Sequence, residues 1–207
     1  MNIEIPASVG DCIDALNARG YSAHLVGGCV RDSLMGRKPF DWDICTSALP
    51  EEVQEVFAGY KVLPTGLRHG TVTLMVQGMP LEITTLRRDG VYLNHRHPKE
   101  VEFTRSLEED LARRDFTVNA MAYTPREGLT DLFGGERDLQ AGVLRCVGDP
   151  QRRFDEDALR ILRLFRFASQ LSFEPEAATL AAAAHLAPLL KVVSGERTAA
   201  ELNKLLL

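Results

Sequence analysis

What the sequence lacks sets the first limits. Its 207 residues contain no uninterrupted apolar run of about 18, the length that a membrane-spanning helix needs. The N-terminus shows no basic, apolar and small-residue succession of the export type, so the cytoplasm is the expected compartment and no membrane association is expected. Cys12, Cys29, Cys45 and Cys146 are scattered among apolar neighbours without a CxxC spacing, which speaks against a thiolate zinc site and predicts buried free thiols. There is no excess of positive charge either. A net charge of −5 argues against wide-area binding to a polyanion, so any nucleic-acid contact must come from a local basic patch. No internal repeat or low-complexity tract interrupts the chain. The alanine-rich stretch 177–187 reads as a good helix. With 45% hydrophobic residues there is enough chain for one sizeable domain plus a smaller appendage.

What is present is concentrated first in Leu25 to Thr46, LVGGCVRDSLMGRKPFDWDICT. Gly27 and Gly28 end an apolar strand and open a short helix near Cys29, where free backbone N–H groups and the helix dipole suit a phosphate. Asp41 and Asp43 lie two apart in an expected strand, Trp42 to Cys45, so their carboxylates share a face. Paired carboxylates there suit two divalent cations about 3.5–4 Å apart, and Mg2+ matches a set of carboxylate and phosphate oxygens. A glycine pair alone reads as a tight turn, and a single Asp-x-Asp as a cap. Combined with Arg31-Asp32 at these spacings they point to a nucleoside-triphosphate site.

The remaining chain organises around this unit. Val9, Cys12, Ile13 and Leu16 form one face of an expected helix, Ser8 to Arg19, stopped by Gly20. Strands are expected near Tyr60–Leu63, Thr71–Val76 and Leu81–Leu86, the last two joined through Gln77-Gly78-Met79-Pro80. Glu82 alternates with Leu81 and Ile83 and is a candidate third carboxylate. Beyond Leu107 the pattern reads as helical apart from a short strand at Val143–Cys146, with Arg114, Asp115 and Asn119 gathered on one helix. The segment 90–101 is polar and without period, as in a loop over a site. Basic groups recur: Arg87-Arg88, Arg96-His97 with Lys99, Arg113-Arg114, Arg152-Arg153 and the row Arg160, Arg163, Arg166. In Glu156-Asp157-Ala158-Leu159-Arg160, Asp157 and Arg160 are i and i+3 and are read as sharing a helix face, with Ile161, Leu164 and Phe165 forming its apolar face. An ion pair is the plain reading of that spacing. The functional one is sharper. A carboxylate accepts from the exocyclic amine of cytosine or adenine while a guanidinium donates to the adjacent ring nitrogen, and uracil or guanine reverses both contacts.

These motifs, GGCVRD with DWDI, HGTV at His69–Val72, RRDFTVNA at Arg113–Ala120, DLFGGERDL at Asp131–Leu139, EDALR at Glu156–Arg160 and GERTAAELNK at Gly195–Lys204, resemble those of the class II tRNA nucleotidyltransferase and bacterial poly(A) polymerase family. The resemblance covers essentially the whole chain. It implies an α/β, polymerase-β-like nucleotidyltransferase head (mixed sheet with flanking helices) over 1–148, followed by an all-helical neck over 149–207. The body and tail domains with which members grip tRNA are not in this sequence. It further implies addition of C or A from CTP and ATP to the tRNA 3′ end. Asp41 and Asp43 hold Mg2+ and Glu82 assists. Gly27, Gly28 and Arg31 take the triphosphate, and Arg114, Asp115 and Asn119 take the sugar. Asp157 and Arg160 read the base, and Arg163 belongs to the nucleotide site. DLFGGERDL matches the family's hinge and receives no chemistry. The form KVLPTGLRHGT at Lys61–Thr71 favours the tRNA enzymes over poly(A) polymerase, and the segment 90–101 favours those that add the terminal A. An enzyme adding only A, a bacterial poly(A) polymerase and a non-catalytic nucleotide- or RNA-binding fragment are the alternatives. No protein partner is implied.

Overall fold

The computed structural model describes residues 3–90, 92–93, 97–98 and 101–206. In chain order its helices and strands are α1 Ala7–Ala18, β1 Ala23–Val26, α2 Gly28–Leu34, β2 Asp43–Thr46, α3 Pro50–Val56, β3 Lys61–Gly66, β4 Thr71–Val76, β5 Met79–Thr85, β6 Arg87–Asp89, β7 Tyr92–Leu93, β8 His97–Pro98 and β9 Val101–Phe103. There follow α4 Leu107–Ala112, β10 Met121–Thr124, β11 Gly128–Asp131, α5 Gly135–Ala141, β12 Val143–Leu144, α6 Pro150–Glu156, α7 Leu159–Leu171, β13 Glu174–Pro175, α8 Ala177–Leu186 and α9 Gly195–Leu206. They divide into two compact units. The first comprises residues 1–88, 101–111 and 121–132, and the second residues 89–100, 112–120 and 133–207.

The first unit is built on a seven-stranded mixed sheet in the order β11-β10-β1-β2-β5-β4-β3. One row of register partners, Tyr123, Leu25, Ile44, Ile83 and Val72, crosses five of these strands, and all five side chains are at most 3% exposed. In β2, β4 and β5 the chain pairs there because Ile44, Val72 and Ile83 are flanked by smaller or polar residues at period two. Helix α1 buries Val9, Cys12, Ile13 and Leu16, the stripe legible in the sequence, and packs with α3 and the sheet. The β4–β5 hairpin turns at Gln77 and Gly78, both with positive φ (50° and 83°), the geometry whose twist matches paired strands. Pro80 lies inside β5, opposite Met75, yet pairing of β5 with β2 starts only at Glu82, so its missing N–H costs that ladder nothing.

Two expectations fail between residues 107 and 131. Residues 121–124 and 128–131 form β10 and β11, which extend the sheet beyond β1, where a helix was expected. All four residues of Met121–Thr124 are buried, so this run carries neither the helical stripe nor the strand alternation and reads ambiguously. The RRDF segment is not a helix: α4 stops at Ala112, Phe116 bridges to Cys146, and only a 3-10 turn, Thr117–Asn119, follows.

The second unit packs α7 against α9 and α6 against α8. Helix α7 buries Ile161, Leu164, Phe167 and Leu171, whereas Phe165, expected in the apolar face, is 46% exposed. All four cysteines are buried thiols outside any disulfide, and burial pushes the Cys12 and Cys29 thiols up to about 11 and Cys146 to about 12. Among the described residues no helix is long and apolar enough to cross a membrane.

Candidate nucleotide and metal site

The acidic row of the first unit is fixed by backbone register. Asp43 opens β2 and pairs with Glu82 of β5, which pairs in turn with Thr73 of β4. This row is one residue out of step with the Leu25–Ile44–Ile83–Val72 core row, so alternation sends its side chains to the opposite face. Asp43 is half-buried and Glu82 exposed. Asp41 is also exposed but lies in a bend before β2 and not within a strand. The reason is a lack of ladder partners: β1 pairing ends at Leu25↔Ile44, where Gly27 turns the chain into α2, and β5 pairing ends at Asp43.

Gly27 sits at φ 76°, ψ −131°, accessible only without a side chain, and its carbonyl accepts the Arg31 N–H at 3.1 Å. Gly28 is the first residue of α2. The Arg31 side chain, 9% exposed, donates from Nε and approaches from Nη2 to Asp32 Oδ1, each at 2.8 Å.

Among the described residues no group of three or more His, Cys, Asp or Glu side chains converges as a metal cage. The donor set nevertheless fits Mg2+, a hard cation that takes one or two carboxylates and completes its octahedron with water and phosphate oxygens. Asp41 and Asp43 supply such carboxylates.

In the second unit the predicted residues interlock. Asp115, 7% exposed, accepts from Phe116 N–H at 2.8 Å and Asn119 Nδ2 at 3.1 Å on Oδ1, and from Arg163 Nε and Nη2 at 2.8 and 2.6 Å on Oδ2. Burial raises its pKa, but the Arg163 guanidinium, the Asn119 amide and Arg160 outweigh it and bring the carboxyl down to about 2. Arg114 is half-buried.

The Asp157 and Arg160 side chains bond other partners and the two residues do not share a helix, their link being the Arg160 N–H donating to Asp157 O at 3.0 Å. Helix α6 ends at Glu156, Asp157 is extended (φ −144°, ψ 102°), and its Oδ1 accepts from Leu159 N–H at 3.1 Å, so the carboxylate caps α7. Arg160 donates from Nη1 to Arg153 O (3.0 Å) and Glu156 Oε2 (2.9 Å), and from Nη2 to Arg113 O (2.9 Å). Asp157 is bound by Arg197, whose Nη1 donates to Oδ1 at 3.2 Å and Nη2 to Oδ2 at 2.8 Å.

Sequence reasoning missed Arg197 and Glu201 as partners. Arg166 Nε reaches Glu201 Oε2 at 2.5 Å, and Arg163 Nη1 approaches Glu201 Oε1 at 3.7 Å. The available signal was the i,i+4 placement of Arg197 and Glu201 on α9, matching the charges of the α7 row. Of the hinge motif, Asp138 is 2% exposed and accepts from Thr117 Oγ1 at 2.8 Å and Arg145 Nε at 3.0 Å. The basic groups are largely matched by carboxylates: Arg88 by Glu102, and Arg152 and Arg153 by Glu156. Half of 90–101, including Arg96 and Lys99, lies outside the described residues; β7 and β8 pair antiparallel within it.

Two family models match: "Poly A polymerase head domain" over residues 23–145 and "Probable RNA and SrmB- binding site of polymerase A" over residues 172–207. A CCA-adding enzyme of Enterococcus faecalis is 47% identical over 195 residues, which are 94% of this chain and 48% of that enzyme. The crystal structure of the Bacillus stearothermophilus CCA-adding enzyme in complex with CTP superposes with TM-score 0.89 at 43% identity, over 97% of this chain and 48% of that one. A tRNA nucleotidyltransferase complexed with a primer tRNA and an incoming ATP analog gives TM-score 0.77 at 34% identity, over 93% and 55%. The chain thus spans about half the length of the relatives it matches. Its mixed sheet and following helices have the polymerase-β-like nucleotidyltransferase fold. Matched from residue 23 to 145 of its 207, the chain belongs to the family of the poly A polymerase head domain.

Proposed function

We propose that the chain carries the catalytic and nucleotide-selecting part of a template-independent RNA nucleotidyltransferase, which adds C and A from CTP and ATP to the 3′ end of tRNA in the cytoplasm. The observation that carries this reading is the Asp43–Glu82 register, which sets two acidic side chains off the core row, with Asp41 two residues upstream. Similarity to CCA-adding enzymes, one of them bound to CTP, supports the substrate class.

In this reading the tRNA 3′-hydroxyl oxygen bonds to the α-phosphorus, the bond to the β-phosphate oxygen breaks, pyrophosphate leaves with the electron pair, and the hydroxyl proton passes to water. Asp41 and Asp43 hold divalent cations, proposed as Mg2+, with Glu82 assisting. When bound, two such ions promote attack by the hydroxyl and neutralise the departing pyrophosphate. The Gly27-Gly28 turn, whose Gly27 N–H is held by Met121 O at 3.3 Å and whose helix opens at Gly28, receives triphosphate oxygens together with Arg31. Asp115 already accepts four hydrogen bonds, a full complement for a carboxylate, so its part is to hold Asn119 and Arg163 in place. Sugar contact then falls to Arg114 and Asn119, and Arg163 borders the nucleotide. Asp157 and Arg160 read the base: acceptor against the exocyclic amine, donor against the ring nitrogen.

The test incubates the chain with Mg2+ and tRNA transcripts ending before CCA or after CC, with each labelled nucleotide, and resolves products at single-nucleotide length. Addition of CC then A to the first transcript is expected. Addition of A alone, only to the second, would reassign the chain as an A-adding enzyme, and an extended A tail as a poly(A) polymerase. Binding of CTP and ATP without any product would overturn catalysis by this chain alone.

A further inference from the structure

We propose that Arg197 is a specificity-determining positioning residue, fixing the Asp157 carboxylate so that it accepts an amine-bearing base and cannot turn away from a carbonyl-bearing one. The proposal rests on the reading of Asp157 as a base contact.

The geometry is a fork. Arg197 Nη1 and Nη2 address the two oxygens of one carboxylate at 3.2 and 2.8 Å across 40 residues of sequence, and Leu159 N–H holds Oδ1 from the other side at 3.1 Å. Three donors on two oxygens define both the position and the plane of the group, whereas an aspartate without them has a broad χ2 torsion. The fork is itself anchored. Arg197 lies in the first turn of α9, and α9 is tied to α7 by Arg166–Glu201 at 2.5 Å and by Gln170 Nε2 donating to Lys204 O at 2.6 Å. Oδ2 accepts, among the described residues, from Arg197 Nη2 alone, so one lone-pair direction is left for a ligand, and the Asp157 side chain is 18% exposed.

Fixing the plane acts unequally on the two classes of base. Cytosine and adenine gain the Oδ2 contact whether the carboxylate is fixed or swings into place. Uracil and guanine bring a carbonyl oxygen against Oδ2, and a free carboxylate relieves that repulsion by rotating or by admitting water. The Arg197 fork removes this escape, so its main effect is rejection of the wrong base. Arg160 is fixed separately, by Glu156 and two backbone carbonyls, and retains its place when Arg197 is changed.

The test measures dissociation constants of CTP, ATP, UTP and GTP by equilibrium dialysis for the unmodified chain, R197M and R197K, with circular dichroism as the folding check. A preference of the unmodified chain for CTP and ATP that falls tenfold or more in R197M supports the proposal. R197K keeps the charge without the planar fork, so a fall is expected there too, and that variant carries the readout should R197M not fold. Parallel weakening of all four nucleotides with an unchanged ratio would assign Arg197 a merely structural role and overturn the proposal. No preference in the unmodified chain would overturn the base-reading role of Asp157 itself.

Discussion

The two compact units hold their predicted site residues by opposite means. In the first, Asp43 and Glu82 are placed by strand register, and the acidic groups at 41 and 82 stand exposed at the surface. In the second, Asp115, Asp157, Arg160 and Arg163 are held in separate guanidinium–carboxylate groups, Asp115–Arg163–Glu201, Asp157–Arg197 and Arg160–Glu156, the last completed by two backbone carbonyls. The difference teaches where function and folding separate. An exposed carboxylate on a backbone frame can be removed without disturbing the frame, whereas removing a buried member of such a group leaves its partner desolvated and poorly matched.

The comparison breaks most visibly at Asp41. Asp41→Ala is expected to lower incorporation by about a thousandfold or more, with a thermal midpoint within about 2 °C of the parent, since the side chain is exposed. Retained turnover would remove Asp41 from the metal site, and a large loss of stability would show that the first unit is no freer than the second. Next comes Asp115→Ala, which takes the two shortest bonds from the Arg163 guanidinium and leaves it Glu201 at 3.7 Å, and should cost about 3–5 kcal/mol in urea unfolding. Acid sharpens the same point. The Asp115 pKa lies below its ordinary 3.8, at about 2, so its contribution is present above pH 3.8 and is lost as the pH falls toward 2. That loss amounts to about 2 kcal/mol in the parent and should vanish from the pH dependence of the alanine variant. Smallest is Arg88→Ala. Its bridges to Glu102 and Glu109 join exposed side chains of the first unit, so the same denaturant titration should show a midpoint indistinguishable from the parent's.

Much of the first unit was legible in the sequence because its signals are local. The Val9–Cys12–Ile13–Leu16 stripe, the Gln77-Gly78 turn and the alternation of Leu81, Glu82 and Ile83 each depend on neighbours a few positions away. Strands β10 and β11 escaped because Met121–Thr124 is buried throughout and carries no alternation, so only pairing with β1 reveals a strand. Asp157 was misplaced in a helix for a related reason. Its i,i+3 spacing to Arg160 is helical on paper, but the carboxylate caps the next helix by accepting the Leu159 N–H, and the cap interrupts the helix it was assigned to.

By itself the sequence determined the inventory of this protein: the Gly27-Gly28 turn, the Asp41-x-Asp43 spacing, the candidate Glu82, and the arginines and carboxylates of RRDF and EDALR. Only the tertiary structure decided their partners. Asp157 meets Arg197 across 40 residues, Asp115 meets Arg163 across 48, and Glu201 meets Arg166 across 35. Local backbone preference cannot encode such pairs. Each forms because a charge removed from water must find its opposite among the groups that the helix packing brings within reach.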